Sequence, residues 1–212
     1  MPNHVTNILT VKGRKEDVKK VFDQIRSDGE DGDHEKYIDF NKIIPMPEEL
    51  QVASGSSEDK AKMIVNDCGR KKNTIREYME KHKKTLEEST IQYLNNFLKY
   101  GYSSWYNWAY DKWGTKWNAY TQERISDDQI TFETAWASPY PVIAELSRQH
   151  PKVKITVEYA DEDIGSNCGY YIVQNGEDVS TYTPHGKTAE KYACQIKGYD
   201  YYEYRAEQEQ DS

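Results

Sequence analysis

Cysteine is scarce in this chain: of 212 residues only Cys68, Cys168 and Cys194 carry a thiol, and no two lie close together. An odd number without short spacing fits neither a disulfide framework nor a Cys-x-x-Cys zinc or redox site, so three reduced thiols are expected. Long apolar runs are missing; a membrane-spanning helix needs about 18 such residues in a row. The opening, Met1-Pro-Asn-His-Val5, has no apolar signal region. Neither a membrane span nor export is expected, and a cytoplasmic location is. The glycine patterns that cradle phosphates, G-x-x-x-x-G-K-S/T and G-x-G-x-x-G, do not occur. The five histidines, at 4, 34, 82, 150 and 185, have no ligand spacing. No metal, cofactor or catalytic set is expected from these patterns.

Positive charge is also in deficit. The formal net charge is −8, and residues 158–212 hold twelve acidic against four basic side chains. Such a balance opposes general duplex-DNA binding, whose affinity comes mainly from neutralised phosphates. Residues 58–100 run the other way, with ten basic and seven acidic side chains. Aromatics are plentiful, with 18 Tyr and 5 Trp, which places the chain among globular proteins despite low hydropathy.

Periodicity gives the elements. His4 to Lys12 alternates as a half-buried strand, and Glu16 to Ser27 puts Val18, Val21, Phe22 and Ile25 on one helical face. The glycine-punctuated acidic stretch 28–35 reads as a loop. From Ser57 to about Tyr100 the pattern is helical, with Leu86, Ile91, Leu94, Phe97 and Leu98 as one stripe. A helix follows from Ser104, as N-cap, to Trp113, ended by Gly114. Strands are expected at Thr115–Ile125, at Gln129–Ala137 and at Val153–Tyr159. Between the last two, Ser138-Pro139 opens a helix carrying Val142, Ile143 and Leu146 inward. Asn175-Gly176 marks a hairpin within 169–183, and a last helix runs from Lys187 to Lys197 before a tail.

The order β-α-(insert)-β-β-α-β is that of the ferredoxin-like split unit, two helices over one face of a four-stranded antiparallel sheet. The expected organisation is an α+β fold. Residues 1–37 and 115–204 form the ferredoxin-like domain with a hairpin-helix extension, 38–114 a mainly helical insertion, and 205–212 a tail.

Particular words in the sequence add to this. Met1-Pro-Asn-His-Val-Thr-Asn7, Asp39-Phe-Asn-Lys-Ile-Ile-Pro-Met-Pro47, Trp113-Gly-Thr-Lys-Trp-Asn118, Phe132-Glu-Thr-Ala-Trp136 and Tyr159-Ala-Asp-Glu-Asp163 occur in that order. Together they resemble the YubB-like family, whose members occur on phages, plasmids and the bacterial genomes that carry them. The resemblance implies a ferredoxin-like domain and a mobile-element setting. No catalytic residues come with it.

Several constellations are candidates for function. All five tryptophans, Trp105, Trp108, Trp113, Trp117 and Trp136, fall between residues 105 and 136. They suit either a base-stacking platform or, as the better reading, a core cluster with Trp117 and Trp136 facing inward on neighbouring strands. The sheet lacks the Lys/Arg-Gly-aromatic signature of RNA-recognition domains. His4, Asn7, Asp39, Asn41, Asp161 and Asp163 are a candidate polar cluster, His4 and Asn7 meeting Asp39 or Asn41 as hydrogen-bonded structural groups, and Asp161-Glu162-Asp163 is read as a solvated acidic turn rather than a cation loop. Arg70, Lys71, Lys72, Lys81, Lys83 and Lys84 make the insert a candidate nucleic-acid contact. The leading functional expectation is a non-enzymatic accessory protein binding a protein partner. A nucleic-acid-binding accessory is the alternative, and an enzyme whose site is assembled only in three dimensions is the third class.

Overall fold

The structure is a computed structural model that describes residues 3–28, 36–53 and 55–210. Most of the acidic loop, from 29 to 35, and the last two residues of the tail lie outside the described residues. By chain contacts the protein divides into two compact units, residues 1–45 with 112–212, and residues 46–111.

The first unit is built on one six-stranded antiparallel sheet. Its strands are β1 (His4–Lys12), β2 (Tyr120–Ser126), β3 (Gln129–Ala135), β4 (Lys154–Asp161), β5 (Cys168–Gln174) and β6 (Glu177–Tyr182). Their order across the sheet is β2-β3-β1-β4-β5-β6. The first four positions are the ferredoxin-like arrangement, with β1 central and hydrogen-bonded to β3 and β4. The β5–β6 hairpin extends the sheet beyond β4, turning at Asn175-Gly176, both with positive φ as this kind of tight turn requires.

Alternation in β1 decides which layer covers which face. Val5, Asn7, Leu9 and Val11 are all fully buried, while the intervening residues are half-buried. On the first face, Leu9 and Val11 lie opposite Val157 and Ile155 of β4, and Leu9 opposite Ile130 of β3. Helices α1 (Lys15–Ile25) and α6 (Tyr140–Gln149) supply the apolar layer there, burying Val18, Val21, Phe22 and Ile25 from one and Val142, Ile143 and Leu146 from the other. The two helices are joined by Gln24, bonded to Gln149 at 2.6 Å and to His150 Nε2 at 2.6 Å. On the second face, α7 (Lys187–Lys197) packs Ala189, Ala193 and Ile196 against Ala160, Cys168 and Ile8. The sheet is therefore covered on both faces. The three cysteines are free and buried.

Local differences from the sequence reading have identifiable causes. β2 begins at Tyr120 rather than Thr115, because the Asn118 side chain folds back to bond Phe40 N, Ala119 N and Asp39. β3 ends at Ala135, so Trp136 leaves the sheet with φ +70. Ser138 does not cap α6; its hydroxyl bonds Tyr171 Oη at 2.9 Å, and Pro139 occupies the cap position. The expected tail is helical as far as Gln210: α8 (Tyr201–Gln210) starts where Asp200 Oδ1 accepts from Tyr202 N and Glu203 N.

The two sheet edges differ. Along β2, the Gln122 side chain accepts from Ile38 N at 2.8 Å and donates to Ile38 O at 3.0 Å, imitating a strand partner. β6 ends the sheet on the other side and is exposed at every residue except half-buried Ser180.

The second unit holds α2 (Ser56–Asp67), α3 (Lys72–His82), α4 (Glu88–Tyr100) and most of α5 (Trp105–Trp113). Its core is Ala61, Ile64, Val65, Ile75, Leu94 and Phe97. The buried stripe of α4 runs through Thr90, Tyr93, Leu94 and Phe97, with Leu86 and Leu98 at its margin and Ile91 half-buried. Ser104, the residue before α5 as its N-cap reading places it, donates its hydroxyl to the buried carboxylate of Glu58 at 2.6 Å.

Gly169 has φ +156, and a Cβ there would lie 2.2 Å from Tyr182 O. Gly169→Ala is expected to lower unfolding free energy by about 2 kcal/mol, the cost of one strained backbone position. An unchanged urea midpoint would show that β5 and β6 can separate at no cost. Burial holds the His150 imidazole below its ordinary pKa of 6.5. The unfolded chain then binds the proton more readily, so stability falls as pH drops through about 6.5. His150→Gln should flatten the dependence of the urea midpoint between pH 7 and 5.

Candidate functional site

The segments that carry chemistry-bearing side chains meet at one end of the sheet. This end is formed by the start of β1, the loop before β2, the exit of β3, the exit of β4 and the entry to β5, as the pairs His4–Ala135, Tyr120–Glu133, Val5–Asp161 and Ala160–Cys168 require. Asp161 is buried here and organises the end. Its Oδ1 accepts from Asn3 Nδ2 at 3.0 Å and from Asp163 N at 3.0 Å, and its Oδ2 accepts from Asn167 Nδ2 at 3.0 Å. The acidic turn is thus not simply solvated: Asp161 is a structural acceptor, while Glu162 and Asp163 are exposed. Asn167 also donates to Trp136 O at 3.0 Å, and Trp136 N donates to Asn3 O at 2.9 Å. Trp136 is held in the left-handed region by these bonds.

Above this frame lies an aromatic surface. Trp117 is 37% exposed and Trp136 half-buried, so neither faces inward on a strand as the alternation suggested. The Lys116 ammonium lies between them, 4.5 Å from the Trp117 ring centre and 4.9 Å from that of Trp136. Tyr120 meets Trp117 edge to face at 6.4 Å and His4 at 5.6 Å. Its hydroxyl is 2.8 Å from His4 Nδ1, which is 3.9 Å from Glu133 Oε2. Burial, with the carboxylates of Glu133 and Glu162 adding, pushes the Tyr120 phenol up to about 12, so it stays protonated. Trp136, Thr121 (φ +46) and Asn167 (φ +39) are three of the non-glycine residues with positive φ, all at this end. Each such position costs on the order of 1–3 kcal/mol and persists only where surrounding bonds determine it.

Beside it is a cavity of about 270 Å³ lined by Ser138, Tyr140, Tyr159, Asn167, Tyr171 and Thr183 among others. Burial raises the Tyr159 phenol above its ordinary value and the Tyr171 phenol well above it. Asn7 lies deeper, opposite Phe132 and Tyr159, donating to Thr134 Oγ1 at 2.8 Å and to Val5 O; its Oδ1 is buried without a partner.

The polar residues named from sequence do not form one cluster. His4, Asp161 and Asp163 belong to the sheet end, whereas Asn7 is buried among the strands. Asp39 accepts from Asn41 N at 2.9 Å and Asn118 Nδ2 at 2.7 Å, fixing the loop that presents Trp117. Lys116, Tyr120, Glu133 and Asn167 were missed as site residues. Lys116 and Glu133 stand inside the quoted words Trp113–Asn118 and Phe132–Trp136, but only the register shows that these words are neighbours.

The remaining tryptophans split away. Trp113 is buried, donating Nε1–H to Ile44 O at 2.9 Å and meeting Phe40 edge to face, and Trp108 is buried in α5. The basic residues of the second unit also divide. Arg70, Lys71 and Lys72 stand at the start of α3 and Lys81, Lys83 and Lys84 at its end, with Glu77 and Glu80 on the helix between. The two groups are separated by roughly 16 Å of helix. Arg70 lies 5.1 Å over the Phe97 ring.

Fold and site together define a ferredoxin-like α+β protein with a second helical layer and an aromatic, acidic sheet end. Residues 112–200 match a family model described as the ferredoxin-like domain in Api92-like protein. Among solved structures, the chain is similar to protein api92 from Yersinia pseudotuberculosis at 12% identity, over 88% of this chain and 99% of that one, with a TM-score of 0.40. No curated protein matches. Among the described residues, no three His, Cys, Asp or Glu side chains are grouped to hold a metal ion, and no helix is long and apolar enough to cross a membrane.

Asp161→Asn replaces an acceptor oxygen that faces N–H donors with a donor. It is expected to cost about 1–3 kcal/mol, the penalty for leaving buried polar groups unpaired. Wild-type stability of the variant in urea unfolding would remove Asp161 as the organiser of the sheet end.

Proposed function

We propose that the protein is a binding module whose sheet end receives a basic segment of a partner protein. One observation carries the reading. The words that resemble the YubB-like family, distant in sequence, converge on this one end: His4 from the first, Lys116 and Trp117 from the third, Glu133 and Trp136 from the fourth, and Asp161 to Asp163 from the last. The second word joins through the Asp39–Asn118 bond. The partly exposed Trp117 and Trp136 rings, with the charges of Glu133 and Glu162 near Tyr120, suit a cationic partner, since aromatic anchors and charge complementarity give such contacts their affinity and orientation. An accessory role in a phage or plasmid setting, as the resemblance implies, belongs to the same proposal. Nucleic acid is the weaker partner, because acidic side chains break the basic stretch on α3 and the C-terminal part of the chain repels phosphate.

Affinity capture from host lysate, with nuclease treatment, compares the wild type with Glu133→Lys/Glu162→Lys. A basic partner that survives nuclease and falls at least tenfold in recovery on the double variant, with the urea midpoint kept, is the expected result. Equal recovery by the variant, or nucleic acid recovered only without nuclease, would refute the reading.

A further inference from the structure

We infer that Trp117, Trp136 and Tyr120 form a cation box for an alkylated ammonium group, and that Lys116 is its built-in competitor. This rests on the sheet end being a binding surface and names the chemistry it recognises. The ammonium of Lys116 already shows what the box accepts: it is within 5 Å of two indole centres at once. A cation over an aromatic face is drawn by the ring quadrupole out to about 6 Å, and tryptophan attracts most strongly. Tyr120 adds a third ring, edge to face with Trp117. Glu133 and Glu162 act electrostatically on Tyr120 and so place negative charge beside the rings.

The construction is specific. Trp136 reaches the box only because β3 ends one residue earlier and the backbone turns left-handed at φ +70, held by Asn3 and Asn167. Trp117 reaches it because Asn118 pins the preceding loop to Asp39 and Phe40. The ring faces suit a soft methylated cation whose surface is apolar and whose charge is spread, whereas a small hard cation needs several oxygens at contact distance. Lys116 is adjacent in sequence to Trp117, so it competes at high effective concentration and lowers the apparent affinity for any external cation. Removing it leaves the rings and vacates the space.

The probe is tetramethylammonium chloride, titrated by calorimetry and by the indole N–H resonances of the protein, with sodium chloride as the ionic-strength control. Lys116→Ala is expected to bind at least tenfold more tightly than the wild type, with Trp117 and Trp136 signals moving. Lys116→Ala/Trp117→Ala should lose that gain while keeping the urea midpoint of Lys116→Ala. Lys116→Ala binding no tighter than wild type, or binding that survives loss of Trp117, would overturn the inference. If partner capture still depends on Glu133 and Glu162 in that case, the box fails and the binding-surface reading stands.

Discussion

The structure depends on β1 being paired on both sides and covered on both faces. Its neighbours β3 and β4 come from more than 115 residues further along the chain, so the sheet can close only after the second unit's segment has been bridged. Closing so long a loop carries an entropy cost that rises only logarithmically with its length. The return is a strand whose odd residues are fully buried beneath α1 and α6 and whose Thr6 and Ile8, on the other face, meet α7. Asn7 marks the one polar exception in that row, with an unpartnered oxygen among apolar neighbours.

Most of the fold was legible because it follows from period. Strict alternation in β1 and β4, the 3.6-residue spacing in α1, α6 and α7, and the Asn-Gly turn each have a local physical cause that sequence displays. What sequence did not display was the work of single side chains. Asn118 shortens β2 by holding the residues before it, Ser138 turns from capping to bond a tyrosine, and Asp200 starts a helix where composition reads as a tail. These bonds are each local in space and, in the first two cases, distant in sequence.

The candidate site was half legible for a related reason. His4, Asp161 and Asp163 are legible as polar groups at the sheet end, but His4 meets Tyr120 and Glu133 rather than Asp39 or Asn41, because strand register sets its neighbours. Trp117 and Trp136 were assigned to strand interiors by alternation. Both instead stand just outside strands, where the backbone leaves the ladder, and left-handed φ at Trp136 is a conformation no periodicity argument anticipates. Functional surfaces of this kind are built at strand ends, where register decides which loops become neighbours.

The unequal sheet edges limit how this molecule can join anything through its backbone. Gln122 bonds Ile38 at the rim beyond β2, whereas among the described residues no further strand pairs with β6. Two copies meeting there about a twofold axis would pair β6 antiparallel with β6, setting Glu177 and Asp178 of one copy near Tyr182 and Thr181 of the other. Such pairing consumes the β6 edge, so growth through that edge ends at two copies.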